Sequence, residues 1–300
     1  MVCYKRGMSA VTQAASMPII AVTGATGKIG GMVVDLLRAR GLSPRLLVRD
    51  ASRAPQWADD VAVAEYGDRP AVRAALEGVD ALLMVSAAES EDRLEQHRAF
   101  IAEAAAAGVR HVVYTSFLAA SPRATFTLSR THWHTEQALR DSGMAFTFLR
   151  DSFYADFFIE LAAEGAITGP AGQGRVAAVA RDDVAACAAA VLLDLASGKG
   201  DHAGAAYDLT GPEAFTMAQA AQIISEVTGR PVTYHEETVE EAYASRAHYG
   251  AADWEVEAWV STYTAIASGE LSAVSDDVER LTGRQPLSLA DVLRQRSGSR

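Results

Sequence analysis

Short apolar runs alternate with longer segments of helical periodicity along the first half of the chain. The runs are rich in Val, Ile, Leu and Ala and predict strands over 19–23, 45–49, 61–65, 81–85, 111–115 and 145–149. The segments between them are alanine-rich, and four end at a glycine, as helices often do: Gly41, Gly78, Gly108 and Gly143. This alternation predicts an α/β fold, a Rossmann-like doubly wound parallel sheet covered by helices on both faces.

The pattern changes after residue 150. An aromatic run, Phe153, Tyr154, Phe157 and Phe158, precedes a glycine-rich stretch over 165–174, a short strand near Val176 and a further strand over 206–209. We therefore expect a flexible extension over 1–17 and a Rossmann domain over 18–150, to which 176–210 returns. A smaller, mainly helical lobe over 151–175 and 211–300 is expected on the substrate side.

Helix caps are predicted in the second half of the chain. Asp182 or Asp183 is expected to cap the helix that follows, and Thr216 with Gln219 forms a capping-box pattern. Further helices are expected around residues 239 and 254, and Ser275 is expected to cap a last segment.

Composition narrows the classes of partner. The chain has 300 residues, is 49% hydrophobic and carries a formal net charge of -11, so its acidic surface repels phosphate backbones and anionic lipid. We expect neither a nucleic-acid nor a membrane partner. Cys3 and Cys187 offer no disulfide framework, and charges and glycines interrupt the apolar stretches. A cytoplasmic monomer or homodimer is expected.

A glycine-rich turn follows the first predicted strand. Gly24, Gly27 and Gly30 have the spacing GxxGxxG and directly precede a helical run over 32–40. Such glycines permit a tight turn and close approach of the backbone to a pyrophosphate, while the helix N-terminus presents free N–H groups. The residues predicted to hold the pyrophosphate of a nicotinamide dinucleotide are Gly24, Ala25, Thr26, Gly27, Lys28, Ile29 and Gly30.

The end of the second strand usually selects the cofactor, through an acidic residue for a ribose hydroxyl or an arginine for a 2'-phosphate. Here Arg49 stands at that position, with Ser52 and Arg53 nearby. A guanidinium suits bidentate phosphate binding, which favours NADPH. Asp50 follows at once and offers the alternative of holding a hydroxyl, as for NADH.

Several motifs together resemble the NmrA-like branch of atypical short-chain dehydrogenases. They are the glycine turn, Arg49, Gly67-Asp68, His111-Val-Val-Tyr-Thr-Ser116 and His132-Trp-His-Thr-Glu136. Within that branch, the bacterial NAD(P)H:quinone oxidoreductase and triphenylmethane-dye reductase group looks nearest. The resemblance implies that Arg49 holds the 2'-phosphate and that Asp68 lies at the adenine side. It further implies cofactor contacts for Val85, Ser86, Thr115 and Phe153, although Phe153 equally suits ordinary core packing.

The catalytic pattern departs from that of typical short-chain dehydrogenases, which use a Tyr-x-x-x-Lys pair. Leu128 and His132 occupy the two positions, so the tyrosine acid is missing. Alcohol–carbonyl interconversion is therefore less favoured than reduction of an acceptor whose product takes protons from water. His132, four residues before Glu136, is expected either to contact the cofactor or acceptor while held by Glu136, or to be structural. Ser116, at the end of the fifth strand, is expected to touch the acceptor.

Two other candidate residues are expected to be structural. His97 shares a helix face with apolar residues and is predicted to be a hydrogen-bonded histidine packed on the sheet. Cys187 lies in an alanine-rich helix and is expected to be inert core. No metal-ligand spacing and no nucleophile motif is present in the sequence.

The leading hypothesis is an NADPH-dependent reductase that transfers hydride to a quinone or another conjugated, electron-poor small molecule. The alternative is a non-catalytic redox sensor that binds NAD(P) and acts through a protein partner. The missing tyrosine motivates both.

Overall fold

The computed structural model describes residues 18–161, 163 and 165–297. The strands are β1 (Ile20–Thr23), β2 (Arg45–Val48), β3 (Val61–Val63), β4 (Ala81–Met84), β5 (His111–Phe117), β6 (Ala145–Asp151), β7 (Ala166–Gly169), β8 (Ala205–Leu209) and β9 (Thr233–Glu236). The helices are α1 (Lys28–Ala39), α2 (Arg69–Leu76), α3 (Arg93–Ala106), α4 (Thr127–Asp141), α5 (Phe157–Leu161), α6 (Arg181–Ser197), α7 (Met217–Thr228), α8 (Val239–Arg246), α9 (Asp253–Ala267), α10 (Asp277–Thr282) and α11 (Leu289–Ser297).

The main sheet of the described chain has the strand order β3-β2-β1-β4-β5-β6-β8, and every neighbouring pair is parallel. All four positions of β1 and of β4 are buried, as expected for central strands covered on both faces. The predicted doubly wound α/β fold is confirmed. The strand order reverses between β1 and β4, and a ligand crevice forms at such a switch point, outside the carboxyl ends of the strands.

The two faces of the sheet support two separate cores. Leu83 and Val113 pack towards α1 and α6, whereas Leu82 and Tyr114 pack on the face that α2, α3 and α4 cover. Successive strand side chains point to opposite faces, so neighbouring residues contribute to different cores. Gly41, Gly78, Gly108 and Gly143 all have φ between 73° and 86° and follow α1, α2, α3 and α4, which confirms the predicted helix ends.

A third core forms in the second half of the chain, around Phe158, Ile167, Phe215 and Ile266. It includes a small parallel sheet in which β7 pairs with β9. The glycine-rich stretch 165–174 therefore contains a strand, because Ile167 pairs with the distant Tyr234, and no local pattern reveals that partner. The strand expected near Val176 is reduced to a single bridge with Phe215. The proposed domain division remains a prediction, and the extension over 1–17 lies outside the described residues.

The predicted helix caps have mixed outcomes. Thr216 and Gln219 form the expected capping box at the start of α7. The prediction for α6 is wrong, because Ala180 precedes the helix without a side-chain cap. Asp183 instead accepts a hydrogen bond from the Leu287 N–H and pairs with Arg284.

Ser275 does not occupy the cap position of α10, which belongs to Asp276, although its Oγ accepts a hydrogen bond from the Asp277 N–H. In the part of the chain that the structure describes, no helix has both the length and the apolar content to cross a membrane.

Candidate functional site

The carboxyl end of β1 leads into the glycine turn and then directly into α1. Gly24 has φ of +59°, a left-handed conformation that favours glycine. A Cβ on Gly30 would lie 2.3 Å from the Gly24 carbonyl oxygen, so a side chain there cannot be accommodated without moving backbone. Gly27 precedes α1 with no side-chain cap, and the first turn holds no acidic residue. The N–H groups of this turn are therefore free of local anionic competitors, which fits a pyrophosphate.

The turn contacts neighbouring elements on two sides. Val85 Cβ lies 3.5 Å from where a Gly24 Cβ would be, so the residue after β4 packs directly against the turn. Lys28 Nζ lies 3.6 Å from a Glu160 carboxylate oxygen on α5. Both partners are well exposed, so this ion pair contributes little to stability, but it shows that α5 lies beside the turn.

Arg49 and Asp50, which follow β2, differ in the hydrogen bonds that their side chains form. Asp50 Oδ1 accepts hydrogen bonds from the Ser52 N–H at 2.9 Å and the Ser52 hydroxyl at 2.7 Å. These bonds lower the pKa of Asp50. Arg49 is exposed and forms no hydrogen bond or ion pair with any residue that the structure describes. The guanidinium is thus available to a phosphate, whereas one oxygen of the neighbouring carboxylate is already engaged by Ser52.

The loop after β4 is fixed by two threonine hydroxyls. The Val85 N–H donates to Thr23 Oγ1 and the Ser86 N–H donates to Thr115 Oγ1, each at 2.9 Å. Val85, Ser86 and Thr115 therefore meet at the carboxyl edge of the sheet, beside the turn. Asp68 lies further away, where its carboxylate caps α2 by accepting from the Ala71 N–H.

Behind this edge lies a buried group of side chains, here called the polar cluster: Arg93, His97, Tyr114, His132 and Thr135. Arg93 Nη2 lies 3.0 Å from His132 Nε2, and His132 Nδ1 lies 2.9 Å from the Tyr114 hydroxyl. A guanidinium only donates, so Nε2 accepts and Nδ1 carries the imidazole proton. His97 Nε2 likewise accepts from the Ala87 N–H, so its Nδ1–H donates to Thr135 Oγ1. Thr135 Oγ1 in turn donates to the Thr131 carbonyl on the same helix.

Burial sets the charge of this cluster. Burial, reinforced by the charge of Arg93, holds the pKa of His132 well below its ordinary value. The same two causes lower the pKa of His97 to about 3. Burial also raises the pKa of the Tyr114 hydroxyl. Arg93 therefore carries the cluster's positive charge between two neutral imidazoles. The prediction that His97 is a hydrogen-bonded histidine on the sheet is confirmed.

The expected contact between His132 and Glu136 is wrong. Glu136 accepts two hydrogen bonds from Arg150 on β6, at 2.9 and 2.7 Å, and one from the Ser116 hydroxyl at 2.7 Å. Bidentate pairing with arginine is stronger than a contact with a neutral imidazole. Ser116 is thus buried at the end of β5 with its proton already committed.

Phe153, after β6, is half-buried. Its ring makes edge contacts with Phe157 and Phe158, with centroids 5.7 and 6.5 Å away, and packs against the third core. Core packing therefore accounts for part of its surface, and a contact with the nicotinamide remains a prediction.

Comparison with known proteins decides the family. The NAD(P)H-binding family matches residues 24–195. This chain belongs to that family. Quinone oxidoreductase 2 of Escherichia coli is 33% identical over 91% of this chain and 96% of its own length. A solved NADPH-dependent quinone oxidoreductase from E. coli, complexed with NADPH, has a TM-score of 0.85 at 31% identity and covers 93% of this chain and 100% of its own.

Two further solved structures have a similar fold. The triphenylmethane reductase of Citrobacter sp., solved with NADP(H), has a TM-score of 0.82 at 32% identity, covering 92% of this chain and 99% of its own. NmrA, a negative transcriptional regulator solved with NAD, is 16% identical with a TM-score of 0.71 over 93% of this chain and 95% of its own, a likeness of fold alone. The predicted resemblance, the oxidoreductase class and the NAD(P)H cofactor are confirmed.

Sequence reasoning missed two buried polar residues of this NAD(P)H-binding chain. Arg93 begins α3 and is 4% exposed. Asp151 ends β6, where its Oδ2 accepts from the Tyr154 hydroxyl and burial holds its pKa well above the usual range. An arginine at a helix start and an aspartate after a strand look like solvated residues in sequence. Cys187 is buried, and burial raises the pKa of its thiol, as expected for inert core.

Proposed function

We propose that this protein is an NADPH-dependent reductase of quinones and related conjugated, electron-poor small molecules. The observation that carries the proposal is an intact glycine turn with an uncommitted Arg49, in a chain similar over nearly its whole length to a quinone oxidoreductase. The NADPH-complexed relatives support the choice of NADPH over NADH. Arg49 supports it independently, because its exposed guanidinium suits a 2'-phosphate and is not engaged by any residue that the structure describes.

In this proposal the glycine turn binds the pyrophosphate, Arg49 binds the 2'-phosphate, and the loop at Val85 and Ser86 borders the nicotinamide end. When bound, NADPH supplies a hydride. The chain's own contribution is to hold donor and acceptor face to face.

The acid–base requirements of the site favour a quinone-like acceptor. Leu128 occupies the position of the tyrosine acid, and it packs against the third core. The Tyr114 hydroxyl is buried within the polar cluster, and its raised pKa makes it a poor acid. A reduced quinone takes its protons from water, so the reaction requires no acid from the protein.

No specific observation favours the alternative of a non-catalytic redox sensor, since the likeness to NmrA is one of fold alone. Oxidation of bound NADPH by an acceptor distinguishes a reductase from a redox sensor.

The test is a panel of quinones, azo dyes and triphenylmethane dyes, each assayed with NADPH and with NADH by the loss of nicotinamide absorbance. We expect acceptor-dependent oxidation of NADPH, fastest with quinones and slower with NADH. Tight NADPH binding without oxidation by any member of the panel would refute the reductase proposal.

A further inference from the structure

Arg93 is a cation buried in the polar cluster. The residue is only 4% exposed. No carboxylate within the described residues forms an ion pair with its guanidinium. Its Nη2 donates a hydrogen bond to the neutral His132. Its Nε is fully buried and has no partner among the same residues. A buried guanidinium in this state is costly, and an oxygen ligand would relieve that cost.

Glu89, in the loop before α3, is an acidic side chain that interacts electrostatically with Arg93. Burial raises the pKa of Glu89 even though the charge of Arg93 acts in the opposite direction. Glu255, at the start of α9, raises it further. Glu89 forms no ion pair with Arg93 within the residues that the structure describes, so it does not contact the guanidinium.

The position of Arg93 points to the acceptor side of the crevice. Arg93 begins the helix that follows the Val85–Ser86 loop, so it lies just beyond the predicted nicotinamide end. Its partner His132 contacts the ring of Phe117, with centroids 6.0 Å apart. Phe117 packs against the third core together with Leu128 and Phe153. Arg93 and His132 therefore lie between the carboxyl edge of the sheet and the third core.

We propose that Arg93 is a catalytic residue whose Nε–H binds the acceptor oxygen that becomes negative during reduction. This inference rests on the proposed reductase function. In the step, NADPH would supply a hydride that bonds to one quinone oxygen as the nicotinamide C4–H bond breaks, and the electron pair displaced through the ring would leave the opposite quinone oxygen as an oxyanion. Arg93 stabilises that oxyanion until water protonates it. His132 is a positioning residue, because its Nε2 fixes the plane of the guanidinium.

This assignment predicts a specificity. A fixed positive charge stabilises acceptors that develop negative charge on oxygen, such as quinones. It repels cationic triphenylmethane dyes, which carry the opposite charge into the same space.

The experiment compares Arg93→Met and Arg93→Lys with Arg98→Met as the matched control. Arg98 lies on the exposed side of α3, where it pairs with Glu95. The probes are menadione, a neutral quinone, and malachite green, a cationic dye, and the NADPH Kd is measured separately in the binary complex. For Arg93→Met we expect kcat/KM for menadione to fall about 100-fold, the usual effect of losing one oxyanion donor. The value for malachite green should hold or rise, and the NADPH Kd should stay unchanged.

Arg93→Lys keeps the positive charge but loses the Nε–H, so its kcat/KM for menadione should fall by an intermediate factor. This variant provides the test if Arg93→Met fails to fold. Equal losses with both probes, or a rise in the NADPH Kd that accounts for the loss, would overturn the assignment. So would menadione reduction that survives in both Arg93 variants. A wild-type protein that binds NADPH but reduces neither probe would instead overturn the reductase function itself.

Discussion

The glycine turn and the polar cluster lie at the same edge of the sheet but are built in opposite ways. The turn is seven consecutive residues that act through backbone atoms and through the absence of side chains. The cluster joins buried side chains of α3, β5 and α4, and Arg93 and His132 are 39 positions apart in the chain. The proposed cofactor site thus depends on local backbone, whereas the proposed acceptor site depends on long-range packing. A mutation in one region should leave the function of the other measurable.

The largest effect is expected at Gly30. In Gly30→Val, the new side chain collides with the Gly24 carbonyl, 2.3 Å from the Cβ position. We expect NADPH affinity to fall more than about 100-fold, because the turn must open away from the pyrophosphate. Gly31→Ala is the matched control, since its Cβ meets only the Ala25 carbonyl at 3.4 Å. Fluorescence titration with NADPH measures both, and equal affinities would contradict the backbone role of the turn.

His132→Ala should mainly affect the cluster. It leaves Arg93 Nη2 and the Tyr114 hydroxyl without their partner, so we expect a loss of about 2–4 kcal/mol in the free energy of unfolding. His134→Ala, two residues along the same helix, removes only a ring contact with Trp133 and should cost less than about 0.5 kcal/mol. Urea unfolding provides the values. A His132 variant as stable as the His134 control would show that the cluster contributes nothing to folding.

Stability should also depend on pH through the buried histidines. The pKa of His97 is about 3 in the folded chain, below its ordinary value of 6.5. Burial similarly lowers the pKa of His111, outside the cluster, to about 4. A depressed histidine pKa gives stability that is present above the unfolded pKa and is lost as pH falls towards the folded one. We expect a loss of about 2 kcal/mol per histidine between pH 7.5 and 5, measured by urea unfolding, and a smaller loss in His111→Gln.

Arg49→Ala should weaken NADPH binding alone. Loss of a charge-assisted contact with the 2'-phosphate is expected to raise the NADPH Kd about 10- to 30-fold and to leave the NADH Kd unchanged. Arg53→Ala is the control from the neighbouring exposed turn. Parallel shifts for both cofactors would remove Arg49 from the 2'-phosphate site.

The sequence predicts the parts of the molecule that depend on short-range pattern. The parallel strands, the glycine helix ends and the turn at Gly24 all follow from residue spacing and backbone geometry. The pairing of β7 with β9 does not, because Ile167 and Tyr234 are far apart in the chain. The partner of His132 was also missed, because Arg150 on β6 takes the carboxylate of Glu136 and leaves His132 to Arg93. Such a choice depends on which buried charges meet after folding.

The most direct test of the reductase account is an anaerobic single-turnover reaction of the NADPH complex with menadione. The account predicts that one equivalent of bound NADPH is oxidised for each equivalent of hydroquinone formed, at a rate that depends on the quinone. Bound NADPH that keeps its full absorbance when the quinone is added would contradict it.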